Sequence, residues 1–361
     1  MRERTEPRRI PVLVLSGFLG SGKTTLLNCL LKLPALAGTA VIINEFGETP
    51  LDHHLVEASD DGIIELSNGC LCCTVRGQLV ETLERLVGRR PPPAAILIET
   101  TGLADPLPVL QAVLSSPGLD ERLAFRGLTT VFDAVDGRRM IENHREARRQ
   151  LALADHVVLS KLDLEGADEH AARQTLAETG TAGCVHTAAA FSERLGENGL
   201  AGLVATPYLS RELSRGDHDH AHGDHPHHDV NRHSETLRCL TLKPGRPLRR
   251  AELDLFLDLL LSAHGDHVPR IKGLVAIKGE DRPLLIQAVY RRMSPPETLP
   301  AWPQGIALTA LTVFVDGIEP SFVRDLFDGF TGRPGIDRPD RQALTDNPLS
   351  LGSVPFKPAG R

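Results

Sequence analysis

The chain has 361 residues, 41% of them hydrophobic and 24% charged, and a formal net charge of -7. That length exceeds what one core usually organises, so two domains are expected, and the negative balance argues against a general affinity for nucleic acid. No apolar run is long enough to span a bilayer, and Ile10 to Leu15, behind the polar arm 1–9, is too short for an export signal. A cytoplasmic protein with no membrane partner and reduced cysteines is therefore expected.

Ile10 to Ser16 reads as a buried parallel strand and Thr24 to Lys32 as the helix after it. Between them Gly17-Phe-Leu-Gly-Ser-Gly-Lys-Thr24 fits G-x-x-x-x-G-K-[ST] in the context that motif requires. Gly17, Gly20, Ser21 and Gly22 would let the backbone curl and aim its N–H groups at phosphate oxygens, at a helix N-terminus that adds positive potential. Lys23 would reach the β- and γ-phosphates and Thr24 would bind Mg²⁺ through its hydroxyl, and Thr25, next in the chain, is counted with the nucleotide site.

Further apolar runs at Ala40 to Ile43, Ala94 to Ile98, Leu128 to Phe132 and His156 to Leu159 alternate with helical patterns at Thr74 to Val87 and Arg138 to Ala154. That alternation predicts an α/β domain over residues 10–210, a P-loop NTPase-type, mostly parallel sheet flanked by helices. The run 94–98 ends in Glu99-Thr-Thr-Gly102: Glu99 is placed for the Mg²⁺ shell, and Gly102 would let the backbone approach a γ-phosphate and move when it leaves. The run 156–159 ends in Ser160-Lys-Leu-Asp163, which resembles the Asn-Lys-x-Asp loop of GTPases. Asp163 would accept hydrogen bonds from the guanine N1–H and 2-amino group, with the Lys161 stem along the base, which favours GTP and GDP over adenine nucleotides.

Gly69-Cys-Leu-Cys-Cys73 puts three thiols, Cys70, Cys72 and Cys73, into four positions of a chain with six cysteines. They supply most of a tetrahedral thiolate site, for which Zn²⁺ is the common occupant and Co²⁺ a second. The spacing differs from the paired C-x-x-C of closed structural sites, and an incomplete cluster suits a metal that is received and handed on. Buried structural cysteines and a redox pair are the alternatives. Cys29, Cys184 and Cys239 stand singly in apolar patterns and read as core residues.

Residues 211–235 form a His-rich linker, with His218, His220, His222, His225, His227 and His228 among aspartates and no large aliphatic or aromatic residue between 216 and 229 to pack. They read as an auxiliary reservoir for divalent ions. Over 236–330 a smaller α+β domain is expected, with strands at Leu237 to Leu242, Arg270 to Ile277, Leu284 to Tyr290 and Ala307 to Val315 and helices at Leu248 to Ala263 and Ser321 to Phe330. Trp302 and Tyr290 suggest a client-binding surface there, and 331–361 reads as a loose tail.

In combination, Gly17 to Thr25, Asn44-Glu-Phe-Gly-Glu48 with Asp52, Cys70 to Cys73, Glu99-Thr-Thr-Gly-Leu-Ala-Asp-Pro106, Ser160 to Asp163 and Arg270-Ile-Lys-Gly273 resemble the CobW-like GTPases. The resemblance implies a GTP-hydrolysing metallochaperone that couples nucleotide state to delivery of metal to a client metalloprotein; it leaves a homodimer open. Asn44, Glu45, Glu48 and Asp52 would lie in the first switch, where Glu45 or Glu48 could complete the cysteine site. A GTPase assisting cobalt insertion in cobalamin synthesis, an activator of a cobalt or iron enzyme, and a non-catalytic zinc store or sensor are the rival readings. No arginine finger can be named and no glutamine stands beside Gly102 in sequence, so slow intrinsic hydrolysis is expected, roughly 10⁻⁴ to 10⁻² s⁻¹.

Overall fold

The computed structural model describes residues 9–44, 63–66, 72–179, 181, 184–203, 237–302 and 309–332. Seven strands, β1 (Ile10–Gly17), β2 (Thr39–Asn44), β3 (Ile63–Leu66), β4 (Ala95–Thr100), β5 (Leu123–Asp133), β6 (His156–Ser160) and β7 (Cys184–Thr187), form one sheet in the order β3-β2-β4-β1-β5-β6-β7. Every pairing in it is parallel.

The strands are apolar because both faces of this sheet are covered, and alternate residues of β1 serve opposite layers. Val12 and Val14 pack with Leu79, Leu83 and Leu86 of α2 (Cys72–Val87) and with α3 (Leu107–Ser115). Leu13 and Leu15 face Leu26, Leu27 and Leu30 of α1 (Lys23–Leu31) and Phe191 and Leu195 of α7 (Ala188–Asn198). Between these, α4 (Gly137–Asn143), α5 (Arg145–Leu153) and α6 (Glu169–Glu178) cover β5 and β6 through Ile141, Ala147, Leu151, Ala172 and Leu176. The single helix expected over 138–154 is thus two, broken at His144, whose backbone is extended (φ -126°, ψ 120°) and whose ring stacks on Phe18 at 4.5 Å.

The second domain is an antiparallel sheet of β8 (Leu237–Leu242), β9 (Arg270–Val275), β10 (Leu284–Val289), β11 (Arg292–Met293), β12 (Glu297–Thr298) and β13 (Ala310–Asp316), in the order β11-β10-β9-β13-β8 with β12 beside β10. Helices α8 (Arg250–His264) and α9 (Pro320–Phe330) cover one face, where Phe256 meets Phe327 edge to face at 5.0 Å. The same face holds Leu253, Leu257, Leu260, Ile271, Val313 and Val323. Thr331, placed by the sequence in the tail, is buried and donates to the Phe327 carbonyl.

Leu237, Val289 and Phe314 of the second sheet join the core that α2 and α3 build on the first. The Ser294 hydroxyl donates to the Leu114 carbonyl at the end of α3 (3.1 Å). Beside this apolar contact lies a buried ionic cluster. Arg270 and Lys272 of β9 reach Asp155, at the head of β6, at 2.5 and 3.1 Å, and donate to the Leu153 and Ala154 carbonyls at 2.8 and 2.7 Å. The two domains therefore share apolar and ionic interior.

Candidate functional site

The C-terminal ends of β1, β4, β5 and β6 open into a crevice at the point where the connections diverge to either side of β1, the place at which open parallel sheets bind ligands. β1 ends at Gly17 and α1 starts at Lys23, so the glycine-rich loop spans the gap between strand and helix, as its sequence requires. Gly22 holds φ 91°, a left-handed conformation that a side chain would oppose, and aims the helix N-terminus into the crevice. Gly20 also has positive φ and stands at the exposed tip, while Ser21 is buried. Lys23, a buried residue, donates from its ammonium to the Phe18 carbonyl across the loop (3.2 Å). The Thr24 hydroxyl donates to Glu99 Oε1 at the end of β4 (2.8 Å), while Thr25 points to the exposed side of α1.

Gly102 packs directly on the phosphate-binding loop: a Cβ there would meet the Leu19 amide nitrogen at 2.7 Å and its Cα at 2.8 Å. On the other flank, the Ser160 hydroxyl lies 2.6 Å from the Ser21 carbonyl and 3.2 Å from that of Phe132, tying the base-side loop to the phosphate loop. Lys161 adopts φ 57° and places its ammonium 2.7 Å from Asp133 Oδ2 at the end of β5. Burial pushes the Asp133 carboxyl up, but the Lys161 hydrogen bond and the amides of Val135 and Asp136 outweigh it and hold the group below the usual range. Asp163 is exposed on the turn that follows.

The crevice thus brings together Gly17, Gly20, Ser21, Gly22, Lys23, Thr24, Glu99, Gly102 and Lys161. Glu45, Glu48, Asp52, Cys70 and the histidines at 218, 220, 222, 225, 227 and 228 lie outside the described residues. For Cys72 and Cys73 the structure gives the backbone alone, the first turn of α2, and for Asn44 the end of β2, beside Thr100 of β4. Among the described residues no three His, Cys, Asp or Glu side chains are grouped to hold a metal ion.

Three expectations need correction. Cys29 is exposed, because α1 buries the stripe Lys23, Leu26, Leu27 and Leu30 and turns Cys29 outward; Cys184 is partly buried, while Cys239, also partly buried, does pack against the core between the domains. Tyr290 is half-buried against the core between the domains. Trp302 packs on Leu274, Leu285 and Leu299 and donates to the Asp281 carbonyl, so its ring is used inside the domain. Sequence reasoning missed Asp133, whose strand-end position in Val131-Phe-Asp-Ala134 was the available signal. It also missed Gln150: on α5 and 1% exposed, it donates from Nε2 to the Gly102 and Ala104 carbonyls at 3.0 and 3.1 Å. A glutamine does stand beside Gly102, brought from 48 residues away.

Ser21 Oγ, Thr100 Oγ1, Thr101 Oγ1 and Gln150 Oε1 are buried with no hydrogen-bond partner among the described residues. Such atoms are costly unless something satisfies them, and here they belong to, or bond to, the segments 17–24 and 99–102 that carry the Lys23 ammonium and the Thr24–Glu99 pair. That donor and acceptor set fits a nucleotide phosphate chain with a hard divalent cation on Thr24 and Glu99. No described helix is long and apolar enough to cross a membrane.

The known-protein comparisons agree with this geometry. Residues 11–183 match the model of the CobW/HypB/UreG nucleotide-binding domain, and residues 237–331 that of the cobalamin synthesis protein cobW C-terminal domain. The chain is 30% identical over 321 residues to the zinc chaperone CobW of a Sinorhizobium species, covering 80% of this chain and 88% of that one. It is 30% identical over 290 residues to the zinc chaperone YjiA of Escherichia coli, covering 79% of this chain and 87% of that one. The crystal structure of Zn(II)-bound YjiA GTPase from E. coli superposes with a TM-score of 0.53 over 90% of this chain and 99% of that one; at 22% identity it speaks to the fold alone. With both domain models matched in order and relatives aligned along most of their length, the chain belongs to the CobW family of P-loop proteins.

Proposed function

We propose that this protein is a GTP-hydrolysing zinc metallochaperone of the cytoplasm, which holds Zn²⁺ at Cys70, Cys72 and Cys73 and passes it to a client metalloprotein according to nucleotide state. The observation that carries the reading is the convergence of Lys23, Thr24, Glu99 and Gly102 at one end of the sheet, in a chain whose relatives are named zinc chaperones.

On binding GTP, Lys23 would exchange the Phe18 carbonyl for β- and γ-phosphate oxygens, a stronger, charge-assisted contact. Mg²⁺ on Thr24 and Glu99 would supply neutralisation of the charge that develops on those oxygens. Lys161 would lie along the base and Asp163 read guanine, with Asp133 holding the Lys161 ammonium in place. Gln150 commits Nε2 to two carbonyls of the loop, so it cannot also donate toward a phosphate, and no other glutamine or arginine is offered for that role by the sequence motifs, in keeping with the slow intrinsic rate expected. Cys72 and Cys73 begin α2, and Glu45 or Glu48 of the first switch would complete the site with Cys70. A loop that carries both a metal ligand and contacts near the γ-phosphate makes the coupling reciprocal. The histidines of 217–229 would raise the local concentration of metal, so deleting them should lower metal stoichiometry and leave GTP binding intact.

The test is GTP hydrolysis by the purified chain with Mg²⁺, alone and with stoichiometric Zn²⁺ or Co²⁺, beside Lys23→Ala and a variant with Cys70, Cys72 and Cys73 all changed to Ser. The reading expects turnover that Lys23→Ala abolishes and that one metal alters only when the thiols are present. Turnover indifferent to metal, or a metal effect that survives loss of all three thiols, would contradict it.

A further inference from the structure

The loop 101–106, which lays Gly102 on the phosphate-binding loop, is gripped from behind by groups that touch no phosphate. Gln150 of α5 donates to two of its carbonyls, those of Gly102 and Ala104. The neighbouring Arg149 brings Nε to 2.9 Å from Asp105 Oδ2, and the other oxygen of Asp105 accepts from the Leu107 amide to start α3. Both helices that hold this loop rest on the second domain. α3 packs against β10 and β11 and receives the Ser294 hydroxyl at its end. At the end of α5, the carbonyls of Leu153 and of the next residue, Ala154, are occupied by Arg270 and Lys272. Tyr290, just past β10 and on a strained backbone (φ 51°), is half-buried against the core between the domains, where the charges of Asp105 and Arg149 act on its phenol from the first domain.

We infer that the C-terminal domain sets the position of the loop 101–106 through α5, with Gln150 and Tyr290 as positioning residues, and thereby the preference for GTP over GDP. The structure has the Gln150 amide bonded to the loop's carbonyls, and a γ-phosphate and the second domain would both favour that arrangement over one without the bonds. As it stands, Gly102 is held against Leu19, the place from which its amide would meet a γ-phosphate, so the grip pre-organises the loop for GTP. GDP, which has no γ-phosphate, should be indifferent to it. This rests on the GTPase reading above.

The experiment compares the affinities of the full chain for a non-hydrolysable GTP analogue and for GDP, by fluorescence titration, in the wild type, Gln150→Met and Tyr290→Phe. Gln150→Met keeps the shape and removes both donors; Tyr290→Phe removes one hydroxyl in the distant domain. Gln150→Met should weaken the GTP analogue about fivefold, the effect of losing one to two ordinary hydrogen bonds, with GDP affinity within about twofold. Tyr290→Phe should act in the same direction by about two- to threefold. A purely packing role would move both nucleotides together. Equal shifts for the two nucleotides, or an unchanged ratio in both variants, would overturn the inference; should Gln150→Met fail to fold, Tyr290→Phe decides alone. A wild type that binds neither guanine nucleotide would instead sink the functional reading, and this inference with it.

Discussion

The buried cluster between the domains makes a prediction whose size follows from its charge count. Asp155 and Lys272 are 0% exposed and Arg270 is 1% exposed, so two cations share one carboxylate out of contact with water. Burial raises the Asp155 carboxyl, but the charges of Arg270 and Lys272 and the Leu128 amide, which donates to it at 2.8 Å, outweigh that and hold it well below the usual range. The cations also lie over the rings of Phe125 and Phe314 at 5.6 and 5.7 Å. Asp155→Asn keeps the shape and strands both cations, which should cost about 3–5 kcal/mol. Lys272→Met removes the surplus cation and leaves Asp155 paired one to one with Arg270. Its main loss is the ammonium bond to the Ala154 carbonyl, and an unsatisfied buried carbonyl costs about 1–3 kcal/mol. Thermal unfolding followed by circular dichroism at neutral pH should show Asp155→Asn lowered by roughly 6–20 °C, at about 2–4 °C per kcal/mol, and Lys272→Met by clearly less. Added salt should not close the gap, because a dry cluster is poorly screened. An Asp155→Asn midpoint within about 2 °C of wild type, or Lys272→Met as the more damaging change, would refute the reasoning.

Gly102→Ala should leave the fold intact and lower GTP turnover by at least about tenfold, since its Cβ would push the loop off the Leu19 backbone; rate and melting temperature measured together check this, and full activity would contradict it. Stability should also fall with pH below the ordinary histidine range. Burial drives His156 from 6.5 down to about 3 and His186 from 6.5 down to about 4. The unfolded chain therefore binds more protons than the folded one between pH 6.5 and those values, and stability present above pH 6.5 is lost as pH falls through that window. His156 contributes a slope of about 1.4 kcal/mol per pH unit and the more exposed His186 less. Denaturant midpoints of His156→Met should vary less with pH over that range than those of wild type, and parallel profiles would contradict this.

What was legible in the sequence was local or strongly patterned. The glycine spacing from Gly17 to Gly22 dictates a loop whatever surrounds it, and the central strands β1, β2, β4, β5 and β6 announce themselves because both faces are covered, leaving near-continuous apolar runs. The edge strand β7 was missed because it has no such run: each of its four residues is half-buried. Helix α3 was hidden by two prolines, Pro106 and Pro108, at its start, which mark a first turn as readily as a loop. The supporting shell of the site was illegible for another reason. Asp133 meets Lys161 across 28 residues, Gln150 meets Gly102 across 48 and Arg270 meets Asp155 across 115, and no periodicity within one element encodes such pairings. Arg270-Ile-Lys-Gly273 could be matched as a family stretch, but that it reaches into the first domain needed the fold.

The central claim is that nucleotide state and zinc are read by one conformational equilibrium. Its most direct test is the Zn²⁺ affinity of the full chain, by competition with a chromophoric chelator, loaded in turn with a non-hydrolysable GTP analogue and with GDP in the presence of Mg²⁺. The account predicts affinities that differ by about tenfold or more, a coupling of about 1.4 kcal/mol, and a difference that vanishes when Cys70, Cys72 and Cys73 are all changed to Ser. Equal zinc affinity in the two nucleotide states would contradict it.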